Sequence, residues 1–352
     1  MLTGKGCDLM PLIAPGERAP DFSLARADGD PVRFYGSAGG VPTAVLFSGG
    51  AGADAIGAMV AALGDELPSE TPLHVVARAH GPAARWVGFH DADGQVHDAY
   101  GVTASDPAVV VVLDPNLRVL TAQRVGEPQR TAAAAAEVVT AGANLPDDTT
   151  IGRYAPVLRI PNVLGPELCA RVIGVWERSD PIETGVESSQ ADGRAHVLDT
   201  RHKRRRDHTV EDAQLLRTLT REAGSRIMPE LEQAFVYRAN RFEGFKIGCY
   251  EAVTGGFFAA HRDNLSPATA HRRFGLTLNL NDDYEGGELR FPEYGLQRYR
   301  PDAGEALVFS GSLLHEVLPV TRGRRFVLLS FVFGDDAVRR DAPRPHDRPA
   351  RA

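Results

Sequence analysis

Phe257-Phe-Ala-Ala-His-Arg-Asp263, taken with Tyr284-Glu-Gly-Gly-Glu-Leu-Arg-Phe-Pro292 and His315-Glu-Val-Leu-Pro-Val-Thr-Arg-Gly-Arg-Arg325, decides how the second half of this chain folds. Short apolar runs alternate there with Gly, Pro, Asn and Asp turns, the pattern of strands. Strands are expected near 245–251, 256–261, 273–280, 287–291, 296–300, 305–310, 314–320 and 325–333. Eight strands with such turns imply a closed double sheet, a jelly roll. Residues i and i+2 of a strand share a face, so His261 and Asp263 project together while Arg262 projects away. His315 lies on a different strand, and the two halves of the motif should converge across the mouth of the sheet.

Two imidazoles and one carboxylate on one face of a metal leave its other positions open, which suits non-haem Fe(II). A His-x-Asp pair alone is weak, because any sheet offers it. The flanking sequence gives it weight: the whole stretch resembles the Fe(II)/2-oxoglutarate oxygenases of the prolyl-4-hydroxylase type. That resemblance implies His261, Asp263 and His315 as iron ligands and catalytic centre, with 2-oxoglutarate and O₂ consumed and ascorbate as an accessory reductant. The implied reaction hydroxylates an unidentified substrate, a protein side chain or a small or carrier-bound metabolite, and releases succinate and CO₂.

The distal carboxylate of 2-oxoglutarate needs a cation, and a guanidinium fork matches it better than an ammonium. The family position, ten residues after the distal histidine and two after a glycine, lands on Arg325. Arg322 and Arg324 are neighbours, but strand alternation turns Arg324 to the opposite face. Tyr250 stands where family members have a tyrosine that binds 2-oxoglutarate, although the loop that follows is one or two residues longer here. A tyrosine packed between sheets is the competing account. Thr277 and Asn279 alternate toward one face of the next strand and are further pocket candidates.

Upstream the pattern differs. Ala44-Val-Leu-Phe47, Leu73-His-Val-Val-Ala77 and Val109-Val-Val-Val-Leu113 are continuous apolar runs, as in strands covered on both faces. Helical stretches at Ala53–Leu67 and Thr131–Ala141 alternate with them, which predicts an α/β sandwich. Pro20-Asp-Phe-Ser-Leu24, the Asp28-Gly29 turn and Tyr100-Gly-Val102 resemble a peroxiredoxin-like, thioredoxin-fold domain over roughly 15–145. The turn that should carry that family's reactive cysteine reads Ser48-Gly-Gly-Ala-Gly instead, and the domain's one cysteine, Cys7, lies in the leading segment. Without a thiolate the helix N-terminus has nothing to activate. The expectation is a non-catalytic docking or homodimerisation unit, with Pro107 as the fold's cis-proline. Gly50, Gly52 and Ala55 only mimic a dinucleotide fingerprint, since Arg78 stands where an acidic residue should follow.

The expected layout is therefore α/β plus mainly β: residues 1–147, then an oxygenase domain at 152–338 with its jelly-roll core at about 243–335, then a disordered tail at 339–352. The boundary falls near 142–156. Within the second domain, helices at Pro166–Arg178, 210–223 and 225–235 precede the strands.

A net charge of −7 argues against nucleic acid, and no apolar run approaches a membrane span. Gly6-Cys7 lacks the hydrophobic segment of a lipoprotein signal. Three scattered cysteines point to reduced thiols and a cytoplasmic setting. The basic run Arg201-His-Lys-Arg-Arg-Arg206, with Arg272 and Arg273, reads either as a solvated loop or as a lip drawing an acidic substrate to the iron. The rival function of another class is a non-catalytic scaffold built from two degenerate folds.

Overall fold

A computed structural model describes residues 10–25, 31–36, 38–78, 88–142, 154–183, 186–188, 195–197 and 201–338. Cys7, the Asp28-Gly29 turn, most of the expected boundary and the tail at 339–352 lie outside the described residues. The chain divides into two compact units, Met1–Thr149 and Thr150–Ala352.

In the first unit, five strands lie in the order Gly88–His90, Leu73–Ala77, Thr43–Phe47, Val109–Leu113, Val119–Arg124. The first three run parallel and the last two antiparallel to their neighbours. Thr43–Phe47 and Val109–Leu113 are buried along their whole length, as their unbroken apolar sequences require. Alternation divides them between two cores. Leu46, Val110 and Val112 meet helices Ala53–Glu66 and Pro128–Gly142 through Met59, Leu63 and Val139. Val45, Phe47, Val109 and Val111 face Phe34, Phe89 and Tyr100 on the other side. No peptide bond among the described residues is cis, so the expectation for Pro107 is corrected. Its loop is held by polar contacts instead. Asp106 accepts from the Thr103 backbone N–H at 2.7 Å and pairs with Arg124 at 2.6 Å, and its carbonyl accepts from Gly50.

The second unit is a jelly roll with helices on one side. Its large sheet runs Val157–Ile160, Ala306–Ser310, Phe274–Asn279, Arg324–Phe333, Lys246–Glu251, Arg206–Thr209, Ile182–Glu183. Its small sheet runs Lys203–Arg204, Phe257–His261, His315–Val317, Leu289–Arg290, Arg298–Tyr299. The outer face of the large sheet packs on helices Pro166–Arg178 and Ala213–Phe235 through Trp176, Leu219, Ile227, Ile247 and Leu328. Between the sheets lies a second core, including Tyr250, Phe291, Tyr299, Leu307, Phe309 and Val327.

Two local expectations change. The helices expected at 210–223 and 225–235 are one helix, Ala213–Phe235, which Asp212 caps by accepting from the Leu215 N–H at 2.6 Å. Leu215, Leu219, Ala223, Ile227 and Leu231 form one buried stripe along it. Burying that stripe outweighs the roughly 1 kcal/mol cost of Gly224. The strand expected at 314–320 divides into His315–Val317 and Val320–Arg322, because Pro319 has no N–H for a ladder.

Candidate active site

The small sheet places the histidines. His261 ends one strand, His315 begins its antiparallel neighbour, and the two are cross-strand partners with ring centroids 4.3 Å apart. Each ring is oriented the same way: the Nδ1–H donates to the carbonyl two residues earlier, Ala259 at 2.8 Å and Leu313 at 2.9 Å. That leaves both Nε2 atoms as acceptors. Asp263, two residues beyond His261, brings Oδ1 to 3.6 Å from the His261 Nε2 and Oδ2 to 3.6 Å from the His315 Nε2. These separations are too long for hydrogen bonds. The three groups form a donor set whose ligand atoms all lie within 4.8 Å of one another.

Burial opposes charge at His261 and Asp263. It pushes His261 down to about 3, helped by the neighbouring His315 ring, and it pushes Asp263 up from the ordinary carboxylate value. Neutral nitrogens with lone pairs aimed at a common point, beside a buried carboxylate, are what a divalent cation requires. The donor set therefore fits Fe(II). Phe258 stacks on His261 at 3.6 Å between centroids and Phe309 lies 4.7 Å from His315, so the walls are apolar. Arg262 projects away from the cluster to Glu293, at 2.7 Å.

Arg325 sits on the long strand of the large sheet, directly across from Tyr250. Its side chain is fully buried, and Nε and Nη2 both donate to Asn279 Oδ1, at 3.2 and 2.9 Å. Thr277 Oγ1 is 3.5 Å from Nη2. Nη1 makes no hydrogen bond, and no carboxylate pairs with this guanidinium among the described residues. A buried arginine in that condition awaits an anion. Gly287 makes room for it. Its φ of +70° is left-handed, and an added Cβ would lie 3.1 Å from Arg325 Cδ. The neighbouring arginines are exposed and paired, Arg322 with Glu285 at 2.8 Å and Arg324 with Glu177 at 2.9 Å.

The basic run is only in part solvated: Arg201, His202 and Arg204 are exposed, and the others turn inward. Lys203 and Arg204 form a strand edge on Phe257–His261, and Arg206–Thr209 joins the large sheet. Lys203 and Arg205 turn inward onto buried Asp207, at 3.2 and 2.6 Å. Burial next to Arg205 brings the Lys203 ammonium down to about 8. Arg205 also donates to the Tyr250 hydroxyl at 3.0 Å. The i, i+2, i+4 spacing of Lys203, Arg205 and Asp207 carries this shared face, a signal hidden by treating the run as undifferentiated charge. Arg272 is engaged with Glu243 at 2.6 Å, and Arg273 approaches Asp336 at 3.5 Å.

The first unit holds another polar cluster, at the turn that carries Ser48. Buried Asp91 accepts from His97 Nδ1 at 2.6 Å and from its backbone N–H at 2.8 Å. The other ring nitrogen of His97 lies 3.2 Å from Ser48 Oγ, which accepts from the Arg78 N–H at 3.2 Å.

A family profile described as the 2OG-Fe(II) oxygenase superfamily matches residues 245–333. A PKHD-type hydroxylase of Pseudomonas fluorescens is 41% identical over 107 residues, covering 28% of this chain and 46% of that relative, so the match spans about half of its length. A PKHD-type hydroxylase of Pseudomonas putida is 30% identical over 201 residues, covering 53% of this chain and 82% of the relative. Among solved structures, a Pseudomonas putida prolyl-4-hydroxylase overlays with a TM-score of 0.39 at 19% identity, over 51% of this chain and 92% of that one.

Proposed function

The chain belongs to the 2OG-Fe(II) oxygenase superfamily, and from that premise we propose that it hydroxylates an unidentified peptide or small-molecule substrate with conversion of 2-oxoglutarate to succinate and CO₂. The observation that carries the proposal is the pairing of two unlike features in one barrel. Two Nε2 atoms and a carboxylate converge on a point, and a buried guanidinium in the same jelly roll keeps an unengaged donor.

His261, Asp263 and His315 would hold the metal, whose chemistry when bound is O₂ activation coupled to decarboxylation of the 2-oxo acid. The backbone bonds to both Nδ1 atoms fix the tautomers, so the chain presents ligands without rearrangement. Arg325 takes the distal carboxylate through Nη1 while Asn279 holds the rest of its fork. Tyr250 offers a second donor to the same carboxylate. Phe258 and Phe309 exclude water from the ligand side. No side chain is needed as a general acid or base.

The first unit enters this reading as a thioredoxin-like domain without redox chemistry, serving docking or dimerisation. Its strand order and the serine at the thiol turn support that view. A cytoplasmic setting accompanies it, in keeping with two buried free thiols, Cys169 and Cys249, which burial raises to about 11 and about 12. No helix among the described residues is long and apolar enough to cross a membrane.

Succinate release tests the proposal. The full chain with Fe(II) and 2-oxoglutarate should form succinate in air and none under argon. Mass spectrometry of cell extract should then reveal a product heavier by one oxygen. Absence of aerobic succinate would leave the scaffold reading standing.

A further inference from the structure

Tyr250 is caught between two guanidiniums. The Arg205 carbon lies 5.5 Å from its ring centroid and the Arg325 carbon 5.6 Å. The two cations do different things. Arg325 leaves Nη1 unengaged, whereas Arg205 commits all three nitrogens. Its Nε and Nη2 grip the two oxygens of Asp207 at 2.6 and 2.9 Å, and Nη1 donates to the Tyr250 hydroxyl at 3.0 Å. Asp207 is buried, so this ion pair is shielded from water and rigid. Gly248 lets it approach the strand, since an added Cβ would stand 3.0 Å from Arg205 Cδ and 3.1 Å from Asp207 Oδ1.

A phenol that accepts one strong hydrogen bond has its proton directed elsewhere. The Tyr250 hydroxyl, buried with the rest of its side chain, donates to no group among the described residues. We infer that Arg205, held by Asp207, is a positioning residue for co-substrate binding: it fixes the Tyr250 hydroxyl so that its proton points to the carboxylate bound by Arg325. The inference rests on the 2-oxoglutarate reading of the site and adds a residue to it. Arg205 acts through Tyr250 and touches no co-substrate itself.

The test uses the full chain loaded with Mn(II), under argon, titrated with 2-oxoglutarate by calorimetry, so that binding is read without turnover. Arg205→Lys keeps the charge beside Asp207 but cannot reach both carboxylate and phenol. It should weaken 2-oxoglutarate about five- to tenfold, the scale of one oriented hydrogen bond. Tyr250→Phe should weaken it by a similar factor. The two changes together should cost no more than Tyr250→Phe alone, because both delete the same bond. In turnover, KM for 2-oxoglutarate should rise while kcat stays within about twofold.

Multiplying effects in the double variant would overturn the inference, since Arg205 would then act on the co-substrate directly or on the fold at large. Wild-type affinity in Arg205→Lys would overturn it too. If Arg205→Lys does not fold, Arg205→Met, which leaves Asp207 paired with Lys203, takes its place in the same cycle. Normal binding in Tyr250→Phe with binding lost in Arg325→Ala sinks this inference and leaves the co-substrate site intact. Normal binding in both sinks the site.

Discussion

Asp91 and Asp263 are carboxylates in dry surroundings beside histidine, one in each unit, and their neighbours treat them differently. Asp91 accepts two backbone N–H groups and the His97 ring, and His97 meets Ser48. The Asp91 carboxylate, the His97 ring and the Ser48 hydroxyl all find partners within hydrogen-bond range. Asp263 has two imidazole nitrogens at 3.6 Å that are acceptors like itself. The first cluster is closed by its own hydrogen bonds, whereas the second leaves its donor atoms open toward something positive. Arg325 and Arg205 repeat the contrast with opposite sign, one fork left open and the other fully engaged.

The comparison breaks first at the metal. His261→Ala or His315→Ala should abolish retention of Fe(II) after desalting and all 2-oxoglutarate turnover, since two ligands cannot compete with water for the ion. Asp91→Asn should leave metal content unchanged. Wild-type metal content in either histidine variant would remove the distinction between the clusters.

Arg325→Ala comes next. A buried carboxylate left without its cation costs about 3–5 kcal/mol, so 2-oxoglutarate affinity should fall by about two to nearly four orders of magnitude with metal binding preserved. Arg325→Lys should recover part of that loss. The metal-to-ligand charge-transfer band reports both, and a loss confined to Arg322→Ala or Arg324→Ala would reassign the cation.

For the closed cluster the effect is on stability and depends on pH. Burial holds His97 below its ordinary value, so the unfolded chain binds the proton more readily. Stability is therefore complete above the unfolded histidine value near 6.5 and is lost as the pH falls through it. Burial acts on Asp91 in the opposite direction, but hydrogen bonds from His97 and Val96 outweigh it and lower that carboxyl, so a second loss appears only in stronger acid. The first unit's melting temperature should fall between pH 7.5 and 5.5, and His97→Gln should flatten the slope while lowering stability by about 1–3 kcal/mol. A parent protein with no such slope would show that His97 is not held neutral. The smallest effect belongs to Arg324→Ala, whose exposed pair with Glu177 should be worth less than about 1 kcal/mol by denaturant unfolding.

The strands of the second unit were legible because their spacing of apolar residues and turns is dense, and Pro166–Arg178 appears as its periodicity predicts. Alternation also foresaw that Arg324 and Arg325 part company across the sheet. What stayed hidden was long-range. Nothing near Ser48 in sequence announces His97 or Asp91, and nothing near Tyr250 announces Arg205. Local charge counting made the 201–206 run look wet, whereas pairing with two sheets buries half of it. Pro107 misled for a related reason, since a fold's habitual bond isomer is not written in a local tripeptide.

The ladder that joins His261 to His315 is irregular: its register shifts between Phe258 and His261. The strands involved are short, and a slip of one residue would carry one imidazole to the far face of the sheet. An ion that needs both rings can bind only the correctly aligned pairing. Binding to the pair would therefore favour the aligned register over a slipped one.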